Sequence, residues 1–190
     1  ERGPFLMMGN KSLPEAVREI LSDRRPRKIA ENGRLHPAVL IPVFTENGVD
    51  KVLFTQRTKT VEHHKGQVSF PGGGVEDGDG STRATALREA REEIGLLEND
   101  VEILGRTDDA ETLASNFVIH PYVGLVPWPY EFVLSRDEVE RLIAVPMGVF
   151  RPGTPNAARR AVEYQGKRYS TEAYVYGDVV IWGATARIIG

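Results

Sequence analysis

Apolar residues recur along the chain with two different spacings, and the switches between them mark its elements. Over residues 12–22, Val17, Ile20 and Leu21 form one stripe at helical spacing, and Ser12 with Glu15 has the S-x-x-E form of a capping box. Residues 37–44 and 51–56 are dense in Val, Ile, Leu and Phe. The stretch Glu46-Asn47-Gly48-Val49-Asp50 between them has turn chemistry, so two antiparallel strands are expected. A short strand is expected over 67–70, then a Pro71-Gly72-Gly73-Gly74 loop and an acidic, glycine-rich turn over 76–80. Residues 81–94 read as the strongest helix, capped by Ser81 or Thr82 and ended by Gly95. Further on, 101–104 and 117–126 read as strands and 135–143 as a helix. Residues 161–164 and 171–176 read as strands around a turn at Gly166, and 178–189 as a closing helix. These elements describe an α/β chain with a mixed sheet between helices. Residues 1–36 supply a terminal helix and a basic linker, and 37–190 one domain.

Composition narrows the partners. The chain has 190 residues, with 24 Lys plus Arg against 27 Asp plus Glu, a formal charge of −3. A globally basic nucleic-acid binder is excluded, because it needs a cationic face to displace counterions. With no cysteine, disulfides, thiolate zinc sites and thiol nucleophiles are excluded, and a reducing, cytoplasmic setting is expected. No apolar run reaches the roughly 18 residues that span a bilayer, and residues 1–10 lack a basic-then-apolar leader pattern, so no membrane role is expected. The run Arg24-Arg25-Pro26-Arg27-Lys28 reads as a solvated linker, or as a contact for a phosphorylated ligand.

The charge is unevenly spread. Glu76, Asp77, Asp79, Glu89, Glu92 and Glu93 face only Arg83, Arg88 and Arg91, so this stretch alone carries the chain's −3. At about 100° per residue, Glu89, Glu92 and Glu93 share one arc of the helix beside the apolar Leu87, Ala90 and Ile94. Like charges at i,i+4 repel by a few tenths of a kcal/mol, which a cation would reverse. Hard divalent ions take oxygen ligands and bridge carboxylates to phosphates. The glycines just ahead allow close backbone approach to a phosphate. A salt-bridged surface helix, with Arg88 paired to Glu92, is the plain alternative.

Residues Gly74 to Leu96 resemble the Nudix box, G-x5-E-x7-R-E-U-x-E-E-x-G-U, where U is a bulky aliphatic residue. Arg88, Glu89, Glu92, Glu93, Gly95 and Leu96 match. The first glutamate of the pattern is replaced by Gly80, beside Asp79, which can stand in after a small shift of the loop. A second stretch narrows the resemblance: Leu53-Phe54-Thr55-Gln56-Arg57, then His64-Lys65-Gly66-Gln67-Val68-Ser69-Phe70-Pro71-Gly72-Gly73, is similar to the signature of the coenzyme A pyrophosphatase branch. Ile181-Trp182-Gly183-Ala184-Thr185-Ala186-Arg187-Ile188 resembles that branch's closing helix.

The resemblance implies the Nudix fold and Mg²⁺- or Mn²⁺-dependent hydrolysis of coenzyme A, or a derivative, to 4′-phosphopantetheine and adenosine 3′,5′-bisphosphate. It implies Glu89, Glu92 and Glu93 as metal ligands, with Arg88 among the catalytic residues. Arg57, His64, Lys65, Gly66, Gln67, Ser69, Gly73 and Gly74 are then the expected substrate contacts. The general base is left open between a glutamate of the box and one on a distant loop, with Glu111, Glu131 and Glu138 as candidates for the latter, and Ile181 and Trp182 are expected in the core of the last helix. Other Nudix substrates (ADP-ribose or a dinucleotide) and a non-catalytic nucleotide sensor are the alternatives. The oligomeric state is left open.

Overall fold

The computed structural model describes residues 11–30, 32–58, 66–112, 117–154, 156–164 and 166–190. His64 and Lys65 lie outside them.

Helix α1 (Leu13–Ser22) starts where the sequence predicts. The Glu15 carboxylate accepts from the Ser12 N–H at 2.9 Å and from its hydroxyl at 2.7 Å. Its buried side is Leu13, Ala16 and Val17. Strands β1 (Ala38–Glu46) and β2 (Val49–Arg57) form a hairpin whose two-residue turn, Asn47-Gly48, has φ of 51° and 74°, the left-handed pair that suits strand twist.

Beyond Val43↔Val52 the hairpin strands part, and one segment wedges between them. Its β3 (Val68–Ser69) pairs with β2 at Thr55 and Gln56, and its β4 (Gly72–Gly73) pairs with β1 at Ala38 and Val39. The glycine stretch expected as a loop is therefore partly sheet. On the far side, β1 runs parallel to β7 (Val118–Leu125), which is antiparallel to β5 (Glu102–Arg106) and β6 (Ala110–Glu111). The sheet is thus mixed, as expected.

Two expected elements differ. Residues 135–143 do not form a helix: a turn leads into β8 (Val139–Pro146), antiparallel along β2. Val139, Ile143 and Val145 are buried between more exposed neighbours, a half-buried strand pattern, and β2 offers an open edge that a helix could not pair. Residues 178–189 divide into β11 (Val179–Trp182) and α3 (Gly183–Ile189), because Val179-Val180-Ile181-Trp182 is β-branched and aromatic. Strand β11 is the edge of a second antiparallel sheet with β9 (Ala157–Tyr164) and β10 (Lys167–Tyr176).

Strand β1 is buried on both faces, and this divides the core. Leu40 and Phe44 pack with Ala86, Ala90 and Ile94 of helix α2 (Thr82–Ile94). Ile41 and Val43 pack with Phe54, Phe70, Val145, Tyr174, Ile181 and Leu13. The sheet therefore lies between α2 on one face and α1, α3 and the second sheet on the other. No helix among the described residues is long and apolar enough to cross a membrane.

Candidate active site

Helix α2 carries the carboxylates, and both its ends are fixed. The Ser81 hydroxyl accepts from the Ala84 N–H at 3.2 Å, and Gly95 closes the helix with φ of 69°. A side chain at Gly95 would also press on Val133 at 2.9 Å.

The three glutamates separate. Glu93 is buried, with 4% of its side chain exposed, Glu89 has 16% exposed and Glu92 has 50%. Glu93 accepts from the Gly72 N–H at 3.3 Å and from Nη1 of Arg57 at 3.4 Å. Burial pushes its carboxyl up to about 8; the nearby charges of Glu89 and Glu138 add to this, and Arg57 and Gly72 oppose it. Glu89 is also raised, chiefly by burial. Its carboxylate lies directly over Gly73, where an added Cβ would stand 2.4 Å from Oε1. Only a glycine in β4 lets Glu89 and the strand approach this closely.

Glu92 turns outward to Nη1 of Arg88 at 2.9 Å. Among the described residues no three His, Asp or Glu side chains converge as a ready metal-binding set, and Glu92 is engaged by Arg88. The donor chemistry nonetheless fits a hard divalent ion. The ligands on offer are all carboxylate oxygens, and burial foremost raises the carboxyls of Glu89 and Glu93, so a cation bound there would favour their charged form.

Arg88 does not reach into open space. Its Nε and Nη2 donate to the two oxygens of Asp79 at 2.8 and 3.1 Å, Nη2 also donates to the Gly74 carbonyl at 2.8 Å, and Nη1 lies 3.1 Å from Glu89. Asp79 further accepts from the Thr85 hydroxyl at 2.8 Å and the Glu76 N–H at 2.9 Å, and Arg88 foremost holds its carboxyl well below the usual range. Asp79 thus ties the loop to the helix. Gly80 beside it has φ of 62°, a conformation in which a glutamate would be strained.

A cavity of about 540 Å³ lies on the α3 side of the sheet; Glu89 and Glu93 do not line it, but Gly73, against which Glu89 packs, and Gly72 and Arg57, which donate to Glu93, do. Of the expected substrate contacts, Arg57, Gln67, Ser69, Gly73 and Gly74 line it. Gly66 does not; it has φ of 67° in a turn, where its carbonyl accepts from Gln56 at 3.3 Å. Trp182, expected in a helical core, is the last residue of β11 and lines the cavity with Phe117, while Ile181 is core as expected.

Of the outlying carboxylates, only Glu138 reaches the site. Its Oε2 lies 3.5 Å from Nη2 of Arg57, and its charge acts on both Glu89 and Glu93. The register Arg57↔Val139 brings it there. Glu111 instead pairs with Arg34 at 2.7 Å, and Glu131 is exposed. No local signal marks Glu138; only the pairing of β8 with β2 shows it.

Comparison with known proteins agrees with this architecture. Residues 34–164 match the family described as NUDIX domain. The chain is 33% identical over 164 residues to the uncharacterized Nudix hydrolase NudL of Photorhabdus laumondii, covering 86% of each chain. To NudL of Citrobacter koseri it is 34% identical over 167 residues, covering 87% of this chain and 85% of the relative. Among solved structures, a MutT/nudix family protein from Enterococcus faecalis superposes with a TM-score of 0.54 at 15% identity, over 94% of this chain and 67% of that one. An Ap4A hydrolase binary complex from C. elegans gives 0.51 at 17% identity, over 60% and 81%. At these identities the two structures support the fold alone.

Proposed function

The chain belongs to the Nudix family of pyrophosphohydrolases, and from that premise we propose that it hydrolyses the pyrophosphate bond of coenzyme A or a close derivative. The products would be 4′-phosphopantetheine and adenosine 3′,5′-bisphosphate. The observation that carries this reading is the cavity: Arg57, Gln67, Ser69 and Gly73, from the stretch that resembles the coenzyme A signature, line one space with Gly74, and Arg57 and Gly73 also touch Glu93 and Glu89.

Glu89 and Glu93 would hold Mg²⁺ or Mn²⁺, with Glu92 joining after release from Arg88. When bound, such an ion neutralises the pyrophosphate oxygens and lowers the pKa of a coordinated water. The protein's own groups do the rest. Gly74, with nothing within 4 Å of an added Cβ, lets a phosphate oxygen approach the backbone without side-chain obstruction. Arg57 bridges the carboxylates and the cavity, so it can turn from Glu93 to a phosphate. Arg88 is a positioning residue for Glu89, Glu92 and the loop. Glu138 is the outlying carboxylate placed to accept the proton of the attacking water.

A panel of pyrophosphates tests the reading. With Mg²⁺ saturating, kcat/KM should be highest for coenzyme A, above ADP-ribose and diadenosine polyphosphates. A preference for ADP-ribose or a dinucleotide would replace the proposed substrate, and tight binding of coenzyme A without turnover would point to a sensor.

A further inference from the structure

Two further guanidiniums line the same cavity outside the carboxylate site and the 53–73 stretch: Arg34, ahead of β1, and Arg187, on α3 within the segment that resembles the branch's closing helix. Although far apart in sequence, they meet at one residue. Nη1 of Arg34 donates to Oε1 of Glu111 at 2.7 Å, and Nη2 of Arg187 donates to the Glu111 carbonyl. The Glu111 carboxyl is held below its usual range, by the Arg34 hydrogen bond foremost and also by the charges of Arg27 and Arg187. Three cations therefore act on one carboxylate, and this part of the cavity wall is net positive. Its neighbours are apolar, with Phe117, Trp182 and Ile188 lining the same space. A guanidinium has five N–H donors, and among the described residues the bond from Nη1 of Arg34 to Glu111 commits only part of that fork. Surface arginines are ordinary, but two that converge from separate elements on one wall of a ligand-sized cavity make a recognition feature for an anion.

We propose that Arg34 and Arg187 form a second anion subsite, which takes a phosphate monoester carried by the nucleotide away from the bond that is cleaved. This rests on the coenzyme A reading, and in coenzyme A that group is the 3′-phosphate. Glu111 acts as a positioning residue that holds the two guanidiniums together. The subsite discriminates by charge: a substrate without the monoester leaves the two guanidiniums with Glu111 as their partner and gains nothing from them, while the pyrophosphate end is bound as before.

The test compares kcat/KM for coenzyme A and for 3′-dephospho-coenzyme A. The wild type should prefer coenzyme A by about tenfold or more, the scale of a charge-assisted contact. The preference should fall toward unity in Arg34→Gln and in Arg187→Gln. Equal rates on both substrates in the wild type, or a preference unchanged in both variants, would overturn the subsite and leave the proposed function standing. If the wild type cleaves neither substrate, the proposed function fails, and calorimetry still decides the subsite. Adenosine 3′,5′-bisphosphate should then bind about tenfold more tightly than adenosine 5′-monophosphate, with the gap lost in Arg34→Gln. Equal affinities would overturn it.

Discussion

Nη1 of Arg57 lies 3.4 Å from Oε1 of Glu93, so a residue expected to hold substrate is paired with one expected to hold metal. The pair is fed from two strands and a helix: Arg57 ends β2, Glu93 lies in the last turn of α2, and the Gly72 N–H of β4 supplies a second donor. Glu138 completes the group from the turn before β8. The electrostatics follow from burial, since two partly matched carboxylates and a third nearby leave the site short of cation.

Glu93→Gln is expected to remove most turnover, by at least the roughly 10- to 100-fold typical of disturbing even the outer partners of a metal. The fold should survive, because the amide keeps the shape and sheds a buried charge. Near-wild-type turnover with Mg²⁺ saturating would sink the assignment of Glu93. Circular dichroism of the same sample separates loss of activity from loss of fold.

The raised carboxyl of Glu93 has a consequence for the metal-free protein. A carboxyl moved from 4.5 up to about 8 in the fold favours folding fully below 4.5, and that contribution is lost as pH rises through 8. Metal-free Tm should therefore fall between about pH 5 and pH 8, and Glu93→Gln should flatten the fall. Added Mg²⁺ or Mn²⁺ should raise Tm most at the alkaline end, since it binds the ionised site. A Tm indifferent to both ions at pH 8 would count against a metal site.

Asp79 has the opposite sign. Its carboxyl is depressed from 3.8 by Arg88 foremost, so its contribution is present above that value and lost as pH falls below it. Asp79→Ala should cost about 3 kcal/mol near neutral pH, the lower range for breaking a buried pair. In urea titrations the gap from wild type should narrow below about pH 4. A gap that stays constant down to pH 2 would show that the loss is one of packing, not charge.

Gly73→Ala places a methyl where Glu89 now lies, 2.4 Å from its Oε1. The carboxylate must swing away, and kcat should drop about tenfold or more, as for a misplaced catalytic group. Gly74 has nothing within 4 Å of an added Cβ, so Gly74→Ala is the matched comparison and should lose less. Equal loss at both positions would deny that Glu89 requires the glycine.

Much of this was legible in the sequence, for physical reasons that differ by element. Helix α2 announces itself through its cap, its terminal glycine and its apolar stripe, and the spacing of its glutamates places Glu89 and Glu93 beside the core. The Asn47-Gly48 turn and its flanking apolar runs are equally plain. Strand β8 was not legible, because Ser135-Arg136-Asp137-Glu138 before a short apolar run imitates a helix start, and only the open edge of β2 decides otherwise. Without β8, Glu138 could be named as a candidate but not told apart from Glu111 and Glu131. The i,i+4 spacing offered the Arg88–Glu92 pair that the structure shows, but it could not show that Arg34 and Arg187 would meet over Glu111. That meeting depends on long-range placement, not on local pattern. The basic run at 24–28 is a partial case: Arg24 pairs with Asp108 at 2.8 Å, and the Arg27 N–H donates to the same carboxylate at 2.9 Å, so it pins the linker to the domain.

The most direct test of the central claim is mass spectrometry of the products after incubation with coenzyme A and Mg²⁺. It identifies the substrate class and the cleaved bond together. The account predicts equal amounts of 4′-phosphopantetheine and adenosine 3′,5′-bisphosphate, both strongly reduced with Glu93→Gln. Intact coenzyme A after prolonged incubation with the folded, metal-saturated wild type would contradict it, as would products cut elsewhere than at the pyrophosphate.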